Sequence, residues 1–184
     1  MKEILRKPQI GVMGSAADLS YSKEVEQLAE ETGFYIAQAG ATLMFGAERD
    51  CDSLSTAACR GAKRAGGLTV GVTYGKGLDN VVADYTDIII ATGMERGGGR
   101  EFVLSLSCDA LIAISGGSGT LNELVVAYQA NIPMVAIKAT GGWSERLAGE
   151  YFDARKRLLV EAARTPQEAV DIAMERITAR RKAI

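Results

Sequence analysis

The sequence predicts an α/β fold in which a mostly parallel sheet lies between two layers of helices. Three observations carry this expectation. Strand and helix signals alternate from one end of the chain to the other, as successive strand-helix-strand units require. Most strand candidates are short apolar runs, the pattern of strands covered above and below. Glycine-bearing turns close several of those strands, where an open sheet of this kind leaves its ligand crevice.

The first strand is expected over Gln9 to Met13, ending on Gly14-Ser15. A helix from about Ser22 to Ala39 follows, because Val25, Leu28, Ala29, Thr32, Ile36 and Ala39 recur at helical spacing and Gly40 is placed to end it. Thr42 to Phe45 is the second strand and runs into Gly46-Ala47; Asp52 to Ala65 is the second helix, closed by Gly66-Gly67. Strands follow at Leu68 to Val72 and at Asp87 to Ala91, the latter ending on Thr92-Gly93. A third helix begins at Gly99 or Arg100 and ends at Cys108, before the strand Ala110 to Ile114. Gly119 to Ala130 is a fourth helix and Met134 to Ile137 the next strand. Thr165-Pro166-Gln167-Glu168 supplies an N-cap, a first-turn proline and a capping-box Glu for a last helix from Thr165 to Arg181. No repeat, low-complexity tract or linker interrupts the series, so residues 1–184 read as one domain.

A chain of 184 residues buries enough apolar surface to need neither disulfide nor metal. With 24% charged residues and a net charge of -2, it lacks the basic excess that phosphate-backbone binding demands, which disfavours nucleic acid as a partner. No run has the length of a membrane span or signal core, and Cys51, Cys59 and Cys108 form no CxxC pair, so a cytoplasmic protein with free thiols is expected. Cys108 reads as core. Histidine is absent altogether. That excludes Ser-His-Asp triads and His-based zinc sites and leaves chemistry to carboxylates, Arg, Lys, Tyr and backbone amides.

The most informative stretch is Ser115-Gly116-Gly117-Ser118-Gly119-Thr120-Leu121-Asn122-Glu123, between a buried strand and an apolar helix. The first amides of a helix have no internal partner and carry the positive end of its dipole, so they bind anions. Gly116, Gly117 and Gly119 clear the approach, Ser118 and Thr120 add hydroxyls, and Glu123 lies about one turn into the helix. A tight turn with a surface Glu is the structural alternative. Arg100, behind Gly97-Gly98-Gly99, stands in a helix's first turn, where a base is electrostatically misplaced. A planar bidentate donor facing an anion explains that placement, and a surface ion pair with Glu101 or Glu95 is the alternative.

Two other stretches fail as nucleotide motifs. Gly71-Val72-Thr73-Tyr74-Gly75-Lys76-Gly77 has too short a spacing and no Ser or Thr after Lys76 for a Walker A loop. Gly11-Val12-Met13-Gly14-Ser15 lacks the third glycine of a dinucleotide fingerprint.

The run from Ser115 to Glu123 resembles the Pro-Gly-Gly-x-Gly-Thr-x-x-Glu motif of the LOG (Lonely Guy) family, once labelled "possible lysine decarboxylase", with Arg100 where that family has its active-site Arg. Ile10 to Ser15, Arg60 to Val72, Gly141-Gly142-Trp143 and Thr165 to Val170 extend the similarity, the last two toward its bacterial and archaeal, molybdenum-cofactor-carrier-like branch. The resemblance implies a Rossmann-like three-layer sandwich and a homodimer or higher homo-oligomer. It also implies hydrolysis of the N-glycosidic bond of a nucleoside 5'-monophosphate such as AMP, although one relative carries the molybdenum cofactor and a distant one binds single-stranded DNA. The chain departs from the pattern at Ser115, in place of Pro and expected to loosen the loop, and in the turn from Gly46 to Cys51.

The leading expectation is therefore a nucleotide phosphoribohydrolase that uses no metal or redox cofactor. Cleavage through an oxocarbenium-like sugar needs a carboxylate near the anomeric carbon, the role given to Glu123, with Arg100 steadying phosphoribose or the departing base. The phosphate is expected on the amides of Gly116, Gly117, Gly119 and Thr120, with Ser118 a lesser donor and Gly14, Ser15 and Gly46 completing the substrate site. The alternative is a non-catalytic carrier or sensor of a nucleotide or the molybdenum cofactor. An ssDNA-binding module lacks charge and aromatics, and none of Lys63, Lys76 and Lys138 has a context that suggests a pyridoxal-phosphate Schiff base. The helices carrying Arg100 and Glu123 are expected at a homodimer interface, through Val103 with Leu106 and Leu124 with Ala127 and Tyr128.

Overall fold

The computed structural model describes residues 6–47, 52–76, 85–95 and 98–183. The expectations that touched residues 1–5, the turn 48–51 with Cys51, Gly77 and Gly97 lie outside the described residues. The elements in order are β1 (Gln9–Gly14), a 3-10 turn (Ala17–Leu19), α1 (Lys23–Gln38), β2 (Thr42–Ala47), α2 (Leu54–Arg64), β3 (Thr69–Thr73), β4 (Ile88–Ala91), α3 (Arg100–Leu106), β5 (Ala110–Ile114), α4 (Ser118–Gln129), β6 (Met134–Ile137), α5 (Gly142–Leu147), β7 (Val160–Ala163) and α6 (Pro166–Lys182).

The seven strands form one parallel sheet in the order β4-β3-β2-β1-β5-β6-β7. The fold is thus the expected α/β sandwich of Rossmann type. Alternation along each strand splits the core into two layers. Ile10, Val12, Leu43, Phe45, Ile112 and Ile114 pack against α1, α2 and α6. Met13, Met44, Leu111 and Ala113, from the opposite face, pack against α3 and α4. Burying a Leu, Ile or Phe side chain is worth roughly 1.5–3 kcal/mol each, so these two layers are the main source of stability.

Local chemistry fixes the helices. The Ser22, Ser53 and Thr165 hydroxyls cap α1, α2 and α6 by accepting from Val25, Thr56 and Glu168 amides. α1 and α2 touch backbone to backbone: a Cβ on Gly33 would overlap the Ala58 carbonyl oxygen, and one on Gly61 the Glu30 carbonyl oxygen. Ala39, expected on the inner face of α1, is exposed as its C-cap.

Three expectations need correction. The sequence signals missed β7 and α5. β4 is not covered on both faces, because it ends the sheet and leaves Ile88 and Ile90 exposed. Leu124, Ala127 and Tyr128 are buried in this chain's own core and present no surface to a partner; the exposed apolar residues of α3 and α4 are Phe102, Leu106 and Val125. Cys59 and Cys108 are buried free thiols. Among the described residues, no helix is long and apolar enough to cross a membrane.

Candidate functional site

Strand order reverses between β1 and β5, and their carboxyl ends open onto a pocket of about 410 Å3. Gly14, the last residue of β1, and Gly46, the last but one of β2, lie on its wall, and the first turn of α4, from Gly117 to Thr120, forms one side. α4 starts without a side-chain cap. Its N-cap residue Gly117 accepts the amide of Leu121, so the amides of Ser118, Gly119 and Thr120 precede the first intrahelical bond and carry the dipole's positive end.

The glycine turn is held from behind. Ser115 has φ +55, a left-handed conformation rare outside glycine. Its N–H donates to Thr140 Oγ1 at 2.9 Å, its carbonyl accepts from the Ser144 N–H at 2.9 Å, and its hydroxyl accepts from Ser15 at 3.0 Å. The Gly116 N–H donates to Ser15 Oγ at 2.8 Å, while the Gly116 carbonyl accepts from Trp143 N–H at 3.0 Å. Close approach of the two segments needs Gly142, where a Cβ would strike the Gly116 backbone. These contacts revise two expectations. Ser115 is tied rather than loose, and Ser15 and Gly116 bond to each other instead of lining the pocket. Thr120 lines it, with its hydroxyl turned to the Gly14 carbonyl at 3.4 Å.

Arg100, the first residue of α3, is 7% exposed, so the surface ion-pair alternative fails. Its guanidinium fills the space that Gly46 leaves, where a Cβ would overlap Nη1. Nη2 donates to Tyr74 Oη at 2.5 Å, the guanidinium carbon lies 4.1 Å from the Tyr74 ring centroid, and Nη1 is 3.5 Å from Glu123 Oε1. The Tyr74 hydroxyl donates onward to Glu101 Oε1 at 2.6 Å. Burial pushes the Glu123 carboxyl up to about 7, with Arg100 pulling the other way and Glu101 adding to the rise. Burial and the bond to Glu101 push the Tyr74 hydroxyl up to about 12.

Of the residues named from sequence, Arg100, Glu123, Gly14, Gly46, Gly117, Ser118, Gly119 and Thr120 thus share one pocket. Sequence reasoning missed Tyr74, Glu101 as a wall residue, and Asp18. The available signal for Tyr74 was its place just past the carboxyl end of β3, beside the other strand-end turns.

The SLOG cluster4 family model matches residues 7–170. The chain belongs to the SLOG cluster4 family. An uncharacterised protein from Archaeoglobus fulgidus is 33% identical over 130 residues, covering 71% of this SLOG cluster4 chain and 80% of that protein. The molybdenum cofactor binding protein of Rippkaea orientalis is 30% identical, with a TM-score of 0.78 over 93% of this chain and 98% of that one. The molybdenum cofactor carrier protein of Chlamydomonas reinhardtii is 32% identical, with a TM-score of 0.78 over 94% and 99%. A SLOG nucleotide-binding fold is therefore established for this chain.

Proposed function

We propose that the protein binds a small phosphomonoester with a flat heteroaromatic head group, and that it acts as a carrier of a pterin cofactor of the molybdenum type. The observation that carries the binding reading is the uncapped amino end of α4, opening into a pocket at the sheet's switch point. In this reading the phosphate takes the amides of Ser118, Gly119 and Thr120, and Gly119, beside which a Cβ would meet only open space, keeps the approach clear. Asp18, Glu101 and Glu123 outnumber Arg100 on the wall, which suits a head group rich in N–H donors, as a pterin is, better than adenine. The similarity to two proteins named for the molybdenum cofactor over more than nine-tenths of the chain supports that cargo.

The second reading, phosphoribohydrolase, is favoured by the buried Arg100–Glu123 pair at 3.5 Å. There an ionised Glu123 stabilises the cationic sugar and activates water, and Arg100 offsets charge on the departing base. One experiment separates the two. Purified protein is given molybdenum cofactor and, separately, a panel of nucleoside 5'-monophosphates; retained molybdenum without free base supports the carrier, and free base abolished by Glu123→Gln supports the hydrolase. If neither cofactor nor monophosphate stabilises the protein in a thermal-shift titration more than its unphosphorylated counterpart does, the phosphate assignment is wrong.

A further inference from the structure

Among the described residues, the Arg100 guanidinium meets Tyr74 and Glu123, and it favours Tyr74. Tyr74 Oη receives Nη2 at 2.5 Å and the Tyr74 ring lies under the guanidinium at 4.1 Å, whereas Glu123 Oε1 is reached only at 3.5 Å by Nη1. A charge-assisted bond between guanidinium and carboxylate is shortest near 2.8 Å, so the contact with Glu123 is stretched. Both ends of this arrangement are buried, Arg100 at 7% and Glu123 at 7% exposure, so the stretch is not a solvent-screened surface contact. Glu101 completes the arrangement. It accepts the Tyr74 hydroxyl proton at 2.6 Å, which leaves an oxygen lone pair of Tyr74 facing Arg100.

We infer that Tyr74 is a positioning residue that holds the Arg100 guanidinium away from the Glu123 carboxylate. The consequence falls on Glu123. A carboxylate fully engaged by a guanidinium keeps its proton off across the neutral range, whereas one only grazed by it, and buried, takes up a proton near neutrality. Glu123 then gains a proton when an anionic ligand settles on the neighbouring amides of α4, and loses it when the ligand leaves. This role holds whichever phosphomonoester fills the pocket.

Burial and two charges from α3 set the Glu123 carboxyl, with Arg100 lowering it and Glu101 raising it, and the other titratable groups around it come from several elements. α3 supplies Arg100 and Glu101, with the Cys108 thiol just beyond it; the end of β3 supplies Tyr74; and Asp18 stands on the same pocket wall. On α5, Glu145 accepts the Ala139 amide. The β1, β5 and β6 residues packed on α4 are apolar, with Met13, Leu111, Ala113, Met134 and Ala136 in that layer.

The test is carboxyl 13C NMR titration of Glu-labelled protein, with Glu123→Gln assigning the resonance. Tyr74→Phe removes the hydroxyl and keeps the ring, so Arg100 closes on Glu123 and the Glu123 midpoint falls by about one to two pH units. Tyr74→Leu, which removes ring and hydroxyl together, gives the same direction and stands in if the Phe variant fails to fold. In an Arg100→Gln background the same Tyr74 change has no effect on the midpoint, because the influence passes through Arg100. A midpoint unmoved by Tyr74→Phe or Tyr74→Leu, or one moved equally in the Arg100→Gln background, overturns the inference. Neither result depends on ligand binding, so failure here and failure of the carrier reading are told apart.

Discussion

Gly46 and Arg100 share one volume: a Cβ on Gly46 would overlap Nη1 of the guanidinium. The end of β2 and the start of α3 lie far apart in sequence, yet the side chain absent at one is the room the other occupies. Arg100 reaches Tyr74 and Glu123 only through that space.

Gly46→Ala therefore pushes the guanidinium out of its place. Overpacking of this kind costs about 1–3 kcal/mol, which urea denaturation detects as a lower midpoint at unchanged slope. The ligand effect is the diagnostic one: stabilisation by a phosphomonoester shrinks in Gly46→Ala to the level of Arg100→Ala. A Gly46→Ala protein that responds to ligand like the wild type contradicts a role for Gly46 in seating Arg100.

The core of this arrangement was legible in the chain because a glycine turn after an apolar strand and before an apolar helix puts unpaired amides at a strand's carboxyl end, although the same pattern also serves as a plain tight turn. Glu123 followed from its spacing within that helix, and Arg100 from being a base where an acid is favoured. Tyr74 was hidden by long-range geometry: only the folded sheet shows that Arg100, 26 residues on, donates to it. β7 escaped because four residues containing Glu161 at the sheet's edge carry little apolar signal. α5 escaped because it opens on Gly141 and Gly142, both at positive φ, which read as loop. The hold on the glycine turn was equally hidden, since nothing in a serine announces the φ of +55 that Ser115 adopts.

Ser115 yields the second prediction. Proline fixes φ near -65° and has no N–H, whereas Ser115 sits at φ +55 and donates its N–H to Thr140. Ser115→Pro in this chain therefore destabilises by more than about 1 kcal/mol. Differential scanning calorimetry reads the loss, and a Ser115→Pro protein as stable as the wild type contradicts the left-handed turn.

Phe102 and Leu106 lie one turn apart on α3 and are 52% and 55% exposed. With Val125 of α4 they are the exposed apolar residues open to the homodimer expected from the sequence, in place of the buried Leu124, Ala127 and Tyr128. Light scattering at micromolar concentration is expected to show at least twice the mass of one chain, reduced to one by Phe102→Asp with Leu106→Asp. A wild-type protein that is monomeric at those concentrations overturns the expected dimer.

Glu123 makes stability depend on pH in an identifiable direction. Burial, which favours the neutral form, pushes its carboxyl in the folded chain up to about 7 from the ordinary 4.5 of an exposed Glu. Between those values the folded chain keeps a proton that the unfolded chain has lost, so stability falls as pH rises. The contribution is fully present below about 4.5 and gone above about 7, with a size on the order of 3 kcal/mol. Glu123→Gln is neutral throughout and carries no such slope. Wild type and Glu123→Gln are therefore compared by urea denaturation at closely spaced pH values from 5 to 8, with the difference between their stabilities taken at each. That difference should shift against the wild type as pH rises and then level off above neutrality. Other titrating groups affect both proteins alike and cancel. A difference that stays flat across the window means that Glu123 is ionised in the folded chain throughout, and the stretched contact with Arg100 then has no consequence for its proton.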